Sequence, residues 1–267
     1  MPEGHTIHRL ARRHQKLLAG AEVRASSPQG RFAEGAALID GAVLRRTDAW
    51  GKHLFHHYGE AEDLVLHVHL GLYGKWRDGT GEPPEPKGAL RLRLVTQDHW
   101  ADLRGPTACE LLSPQEVAAR TARLGPDPLR KGADVERFLD RVGRSRAPAG
   151  TLLMDQAVIA GVGNVYRAEA LFRAGLSPFA PGREVGRETW QAVWDDLSVL
   201  LRAGVRAGRI ITTHPEDRRR PAGRPTRADA HYVYARTGLP CRRCGTPVQA
   251  EVMAARNLFW CPVCQPG

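Results

Sequence analysis

Four of the chain's five cysteines fall in its last 27 residues, as Cys241-x-x-Cys244 and Cys261-x-x-Cys264 with 16 residues between the pairs. Each C-x-x-C can form a knuckle that turns two thiolates toward one ion, and the intervening stretch is long enough for a hairpin that brings the knuckles together; one tetrahedral zinc ion is the expected cofactor. Two disulfides are the alternative. The start, MPEGHTIHRLARR, carries an acid and histidines where an export signal needs an apolar stretch, so a reducing cytoplasmic setting is expected and favours metal. The remaining cysteine, Cys109 in TACELLS, reads as a small buried side chain.

A second candidate is Val158-Ile159-Ala160-Gly161-Val162-Gly163-Asn164, which leads into VYRAEALFRAG. Gly161 and Gly163 permit close backbone approach, and Asn164 is placed to cap the following helix, so amide N–H groups there can hold a phosphate. A plain interhelical turn is the competing reading. A third signal is charge. The 39 Lys+Arg against 29 Asp+Glu leave a net +10, which puts a nucleic-acid partner first, although solvated helix faces would also account for it. Five lysines stand beside 34 arginines. In such a chain Lys52 stands out as a compact, titratable ammonium where arginine is otherwise preferred.

These groups need a frame. At 267 residues, with 42% hydrophobic and 25% charged, the chain has the balance of a globular protein of two domains or two plus an appendage, and collagen-like, mucin-like and disordered readings drop out. No run reaches the roughly 18 apolar residues of a membrane span. One helix is expected near the start, where Ile7, Leu10, His14, Leu17 and Leu18 recur at helical spacing. Short β-rich runs follow, AALIDGAVLRRT, KHLFHHY, EDLVLHVHLGLY and ALRLRLVT, and sheet packed on sheet is the natural way to bury them. At Ser113-Pro114-Gln115-Glu116 a capping hydroxyl, a proline and a glutamate three beyond the cap open a helical half. Its clearest helix carries Val185, Trp190, Val193, Trp194, Leu197, Leu200, Leu201 and Val205 on one stripe, with the tryptophans read as core. The segment PEDRRRPAGRPTRAD reads as a mobile basic loop before the cysteine module.

The start MPEG, GKHL around Lys52, HLGLYGKW, GVGNVYRAEALFRAGLSP, and the terminal CRRCG and RNLFWCPVCQ together resemble the formamidopyrimidine-DNA glycosylase and endonuclease VIII family, in the family's order from residue 2 to residue 265. The resemblance implies an α+β, multi-domain fold: an N-terminal β-sandwich domain flanked by helices over 1–112, a helical domain with a helix, two turns, helix element over 113–228, and a β-hairpin zinc finger over 229–267, with damaged double-stranded DNA in the cleft between. It also implies a monomer in the cytoplasm, associated with the nucleoid.

The chemistry implied is that of a bifunctional glycosylase and lyase. Pro2, once Met1 is removed, offers a secondary amine that attacks C1′ of the damaged nucleotide; loss of water leaves an iminium, an electron sink that makes the C2′ proton acidic, and elimination of the 3′ and then the 5′ phosphate cuts the strand. An α-amine with a reference pKa of about 7.7 to 8.0 is partly neutral at physiological pH. Glu3 would shuttle protons to the sugar or the leaving base. Lys52 would contact a phosphate beside the lesion and assist proton transfer. Asn164 and Arg256 match the family's phosphate clamp, with Gly161 and Gly163 in the same turn, and the zinc would hold the hairpin that aims Arg256. Leu72 and Tyr73 match the residues that fill the gap left by the extruded base. His5 and Thr6 stand where many relatives have a glutamate that assists the catalytic acid, so the support of Glu3 is open, with His5 a candidate. The MPEGHT start and the wedge residues favour oxidised pyrimidines as substrates. An oxidised-purine enzyme, a non-catalytic damaged-DNA-binding module and a zinc-finger regulator are the competing readings.

Overall fold

The computed structural model describes residues 2–223 and 225–267, and the chain divides into two compact units, the first ending at Arg123 and the second beginning at Leu124. In the first, helix α1 (Gly4–Leu18) precedes β1 (Glu22–Ser26), α2 (Ala33–Ile39), and the strands β2 (Ala42–Trp50), β3 (His53–Tyr58), β4 (Leu64–His69), β5 (Lys75–Thr80), β6 (Leu90–Val95), β7 (His99–Arg104) and β8 (Ala108–Leu112); α3 (Pro114–Ala122) closes the unit. The helical spacing near the start does form a helix, and Ile7, Ala11, His14 and Leu18 make its buried stripe.

The strands run antiparallel in one eight-stranded sheet of order β5-β7-β6-β1-β2-β3-β4-β8. Its two halves meet at β1, which pairs with β2 through Glu22 and Val23 and then switches to β6 through Arg24, Ala25 and Ser26. Apolar residues of both halves, Leu54, Leu66 and Val68 from one and Leu92, Leu94, Ala101 and Leu103 from the other, join a single core, so the sandwich expected from the short apolar strands is built from one continuous sheet. The other face of β3, β4 and β8 buries Phe55, Val65 and Leu112, with Trp50 and Val117 packed on them.

Val117 belongs to α3, and this decides where the helix sits. The capping box at its start forms: the Glu116 amide donates to Ser113 Oγ at 3.3 Å and the Ser113 amide to Glu116 Oε2 at 2.7 Å. The helix lies on β4 and β8, inside the first compact unit, and not among the helices that follow. Cys109 is partly buried, and burial pushes its thiol up to about 12.

The second unit holds α4 (Val135–Gly143), α5 (Ala149–Leu152), α6 (Asn164–Arg173), α7 (Arg187–Ala207) and a hairpin of β9 (Gln249–Met253) and β10 (Arg256–Trp260). Trp190, Val193, Trp194, Leu197 and Leu201 of α7 pack with Phe138, Leu139 and Val142 of α4, so the tryptophan stripe is core. The Trp190 indole N–H donates to the Gly182 carbonyl at 3.0 Å, which satisfies its one polar atom. Gly208, left-handed at φ 69°, stops α7.

A separate core of Ala168, Phe172, Tyr232, Val233, Val248 and Phe259 joins α6 to the cysteine module, so helices and hairpin form one compact unit. In the arginine-rich stretch before the module, Arg218 donates to the hydroxyl and carbonyl of Thr213, and Asp229 accepts from Thr226 Oγ1 at 2.7 Å. Arg224, in the same stretch, lies outside the described residues. Among the described residues no helix is long and apolar enough to cross a membrane.

Candidate functional site

In the first unit the chain start is the N-terminus of α1. Glu3 is its N-cap, extended at φ −122° and ψ −179°, and its carbonyl accepts from the Thr6 amide at 2.9 Å. Its side chain makes no capping bond. Glu3 is nonetheless wholly buried, directly after a half-buried Pro2. His5 is buried as well, with Nε2 against the Thr6 hydroxyl at 3.2 Å, and burial followed by nearby positive charge, Arg9 included, lowers its pKa to about 4. A neutral imidazole therefore follows the acid.

Helix α1 packs on β2 and β3, fastened by Thr47 Oγ1 donating to the Ala11 carbonyl at 2.6 Å and by His14 Nδ1 against His56 Nε2 at 3.0 Å. Lys52 lies at the turn between those strands, where Trp50 pairs with His53 and Gly51 takes φ 56°. Leu72 and Tyr73 sit on the turn between β4 and β5, 46% and 85% exposed, and the turn itself ejects them. It closes through the Gly74 amide on the Leu70 carbonyl at 2.9 Å. A Cβ on Gly74 would lie 2.2 Å from that oxygen, and one on Gly71 1.9 Å from the Thr107 hydroxyl. With glycine required on both sides and Leu70 buried beneath, the two apolar side chains between have only solvent to enter.

In the second unit α5 leads through two turns into α6. Asp155 holds the second turn, accepting from the Ala157 amide at 2.8 Å, and Gln156 spans the glycine loop, accepting from the Gly161 amide at 3.0 Å and donating to the Val162 carbonyl at 2.8 Å. Gly161 is left-handed at φ 91°. The N-cap of α6 is Gly163; Asn164, read from sequence as the cap, is the first helical residue. Its amide is used differently: Nδ2 donates to the Asn257 carbonyl at 2.9 Å and Oδ1 accepts from Arg167. Asn164 and the hairpin that bears Arg256 are thereby brought together.

Sequence reasoning missed what fastens them. Arg167 is fully buried and donates to the carbonyls of Met253 at 3.1 Å and Asn257 at 3.3 Å, one on each strand of the hairpin. Glu169 is equally buried and accepts from the amides of Tyr232, Val233 and Tyr234 at 2.7, 2.8 and 2.8 Å, and from the Thr212 hydroxyl. A carboxylate on an otherwise apolar helix, inside RAEALF, was the available signal. Arg256 opens β10 and is exposed, after a two-residue turn in which Ala254 and Ala255 both take positive φ, 52° and 56°. That conformation costs a residue with a Cβ roughly 1–2 kcal/mol. Arg242 pairs with Asp229 at 3.6 Å and Arg243 lies over the rings of Phe172 and Tyr232, so both knuckle arginines are engaged within the fold.

The sulfurs of Cys241, Cys244, Cys261 and Cys264 all lie within 4.8 Å of one another, with Cys241 to Cys264 at 3.8 Å and Cys244 to Cys261 at 3.4 Å. Disulfides need about 2.05 Å, whereas a tetrahedron of Zn–S bonds of about 2.3 Å has edges near 3.8 Å. The four thiolates fit one structural zinc, which ties the β9–β10 hairpin to the body of the unit.

Models of known families match nearly the whole chain: the formamidopyrimidine-DNA glycosylase N-terminal domain over residues 1–109, the formamidopyrimidine-DNA glycosylase H2TH domain over 124–216, and a zinc finger found in FPG and IleRS over 238–267. Endonuclease 8 1 of Mycobacterium tuberculosis (strain ATCC 25618 / H37Rv) is 54% identical over 270 residues, covering 99% of this chain and 100% of the relative. The formamidopyrimidine-DNA glycosylase of Thermus thermophilus is 33% identical over 99% of this chain and 98% of its own length. A crystal structure of the MutM (Fpg) protein from Thermus thermophilus superimposes with a TM-score of 0.80 at 30% identity, covering 99% of this chain and 98% of that one. With these matches, a four-thiolate zinc site and a helix, two turns, helix element tied to its hairpin, the chain belongs to the formamidopyrimidine-DNA glycosylase and endonuclease VIII family of DNA repair enzymes.

Proposed function

We propose that this DNA glycosylase of base excision repair is bifunctional, excising oxidised pyrimidines and cutting the strand through Pro2 as nucleophile, and acts as a monomer on damaged duplex DNA. The observation that carries this reading is Glu3. A carboxyl group with no exposed surface, placed by the first turn of α1 directly after a half-buried proline, is a costly arrangement that a structural role does not require. With Met1 removed, the Pro2 nitrogen adds to C1′ while the base departs with a proton supplied by Glu3. The resulting iminium takes up the electron pair released when the C2′ proton leaves, the 3′ phosphate is expelled, and a second elimination expels the 5′ phosphate.

Asn164, with Gly161 and Gly163 in its turn, and Arg256 on the zinc hairpin would grip backbone phosphates, Lys52 another beside the lesion, and Leu72 and Tyr73 would fill the vacated stack. Their exposure supports the wedge role: large apolar side chains held out by a glycine-bounded turn gain nothing from the fold. The preference for pyrimidines rests on the 54% identity to a relative named Endonuclease 8 1, against 33% to the formamidopyrimidine-DNA glycosylase.

Borohydride trapping tests the reading. Protein beginning at Pro2 should become covalently joined to duplex containing thymine glycol, more slowly to duplex containing 8-oxoguanine, and not to undamaged duplex. An uncleavable N-terminal extension, which turns the proline nitrogen into a tertiary amide, should abolish trapping and excision, while a C-terminal tag should not. Full excision by the extended protein would reject Pro2 as nucleophile, and faster trapping on 8-oxoguanine would reject the pyrimidine preference.

A further inference from the structure

Beside Lys52 lies a chain of buried polar groups that the proposed chemistry does not use. His53 opens β3 and pairs in register with His69 of β4, and His67, two residues back on β4, pairs with Glu110 of β8. The side chains connect along the sheet: His53 Nδ1 to His67 Nε2 at 2.8 Å, His67 Nδ1 to Glu110 Oε1 at 2.9 Å, and Arg120 of α3 donating to the same Glu110 oxygen at 2.9 Å. The His53 and His67 rings are stacked with centroids 5.1 Å apart, and His69 tilts against His53 at 5.0 Å. The inner ring, His67, has a fully buried side chain, whereas Glu110 at the end of the chain is 41% exposed.

Hydrogen-bond direction along this chain is determined by its far end. A carboxylate is an acceptor only, so Glu110, held by the Arg120 guanidinium, obliges His67 to carry its proton on Nδ1. Burial first, and the surrounding positive charge, keep both rings neutral at physiological pH, lowering His67 to about 4 and His53 to about 3. A neutral His67 with Nδ1–H has a bare Nε2, which can only accept; His53 must therefore donate from Nδ1. Its own Nε2, on the ring edge away from His67, is left as an unprotonated acceptor. The charged and titratable groups acting on His53 are His67, His69, Arg120 and Lys52, and Lys52 acts on His69 as well.

We infer that Glu110, His67 and His53 form a tautomer-setting relay that holds His53 Nε2 as a neutral acceptor at the Lys52 turn and so positions the Lys52 ammonium. The chemistry suits a phosphate-contacting lysine. A carboxylate in place of His53 would neutralise the ammonium, and an imidazolium would repel it, while a neutral lone pair orients N–H bonds and leaves the charge free for DNA. Glu110 and Arg120 are positioning residues acting at a distance: protonating Glu110 would reverse every donor in the chain and put N–H where the lone pair stood. The inference rests on the reading of Lys52 as a DNA-contacting group.

Glu110→Gln tests it, since an amide can donate as well as accept and so releases the direction of the chain. In the full-length zinc-loaded protein, cleavage of an abasic-site duplex at neutral pH should fall about tenfold, the scale of losing a group that orients a functional side chain. In a Lys52→Gln background the same change should cost less than about twofold, because the relay then has nothing to position. Nitrogen NMR of histidine-labelled protein should show His53 Nε2 unprotonated in the wild type and a mixed tautomer in Glu110→Gln. Should Glu110→Gln fail to fold, His53→Gln and His53→Leu take its place: glutamine, which offers a neutral acceptor, should keep most of the activity that leucine loses. An equal loss with and without Lys52, or a wild-type His53 protonated on Nε2, overturns the relay. If Lys52→Gln itself leaves cleavage unchanged, the assignment of Lys52 fails, and the NMR result still reports whether the tautomer chain exists.

Discussion

The two compact units hold their functional groups by opposite means. In the first, a sheet and α1 are filled between apolar side chains with neutral imidazoles: His14 against His56, His53 against His67, with Trp76 packed on the edge of His14 at 4.8 Å. In the second, the corresponding work falls to ionised groups saturated with hydrogen bonds, Arg167 and Glu169 on α6 and the bidentate Arg173–Asp196 pair at 2.7 and 2.6 Å, together with four thiolates. The reason is topological. A sheet satisfies its own backbone, so its buried polar side chains need only satisfy each other, whereas the loops around α6 present amides and carbonyls with no ladder to join, and charged side chains supply the partners.

This contrast can be broken most severely at the metal. Removing zinc with a strong chelator, or replacing Cys261 with serine, should unravel the β9–β10 hairpin and abolish duplex binding, since structural zinc contributes on the order of 10 kcal/mol to such modules. Metal analysis before and after should show one zinc per chain lost with binding, and binding retained by zinc-free protein would end the structural role.

Acid should single out the first unit. Burial lowers His14 to about 4 from 6.5 and His56 well below its ordinary value. Between those pH values the unfolded chain binds protons that the folded one does not, so stability present above pH 6.5 is lost as pH falls toward 4, on the order of 3 kcal/mol for His14 alone. Thermal unfolding followed from pH 7 to pH 4.5 should show the fall, and His14→Gln should flatten it. A wild-type profile independent of pH in this window would contradict neutral burial.

A smaller effect is expected at Glu169. Replacement by glutamine leaves one acceptor oxygen for the amides of 232–234 and sets an NH2 against donors, a loss of about 2–3 kcal/mol in denaturant unfolding with zinc retained. The smallest is at Arg256, whose exposed guanidinium supports nothing in the fold: Arg256→Ala should leave the melting temperature unchanged and lower the slope of log affinity against log salt by about one phosphate. A destabilised Arg256→Ala would show the residue to be part of the hairpin's structure.

The zinc ligands were legible because spacing alone constrains four thiolates to one ion, and the tryptophan helix because a stripe at period 3.6 can only be a buried face. The Ser113 capping box was legible as a helix start yet silent about which unit the helix joins, since Val117 packs on the strands through a contact no local pattern encodes. Asn164 was recognisable as important but misplaced by one position, because Gly163, not Asn164, has the extended backbone of a cap. Arg167 and Glu169 escaped notice. Charged residues on a helix are ordinarily solvated, and only the return of the chain at 232–234 and 253–257 turns their side chains into partners for backbone groups 60 to 90 residues away.

By itself the sequence determined the local elements, the metal centre and the family, all of which depend on periodicity, turn chemistry or motif order within short stretches. Tertiary structure decided which buried polar groups meet. The direction of the His53–His67–Glu110 chain, the burial of Glu3 and the attachment of Asn164 to the zinc hairpin each depend on distances between residues remote in sequence. Hydrogen bonds act over about 3 Å and only along a donor axis, so nothing short of the packed fold specifies them.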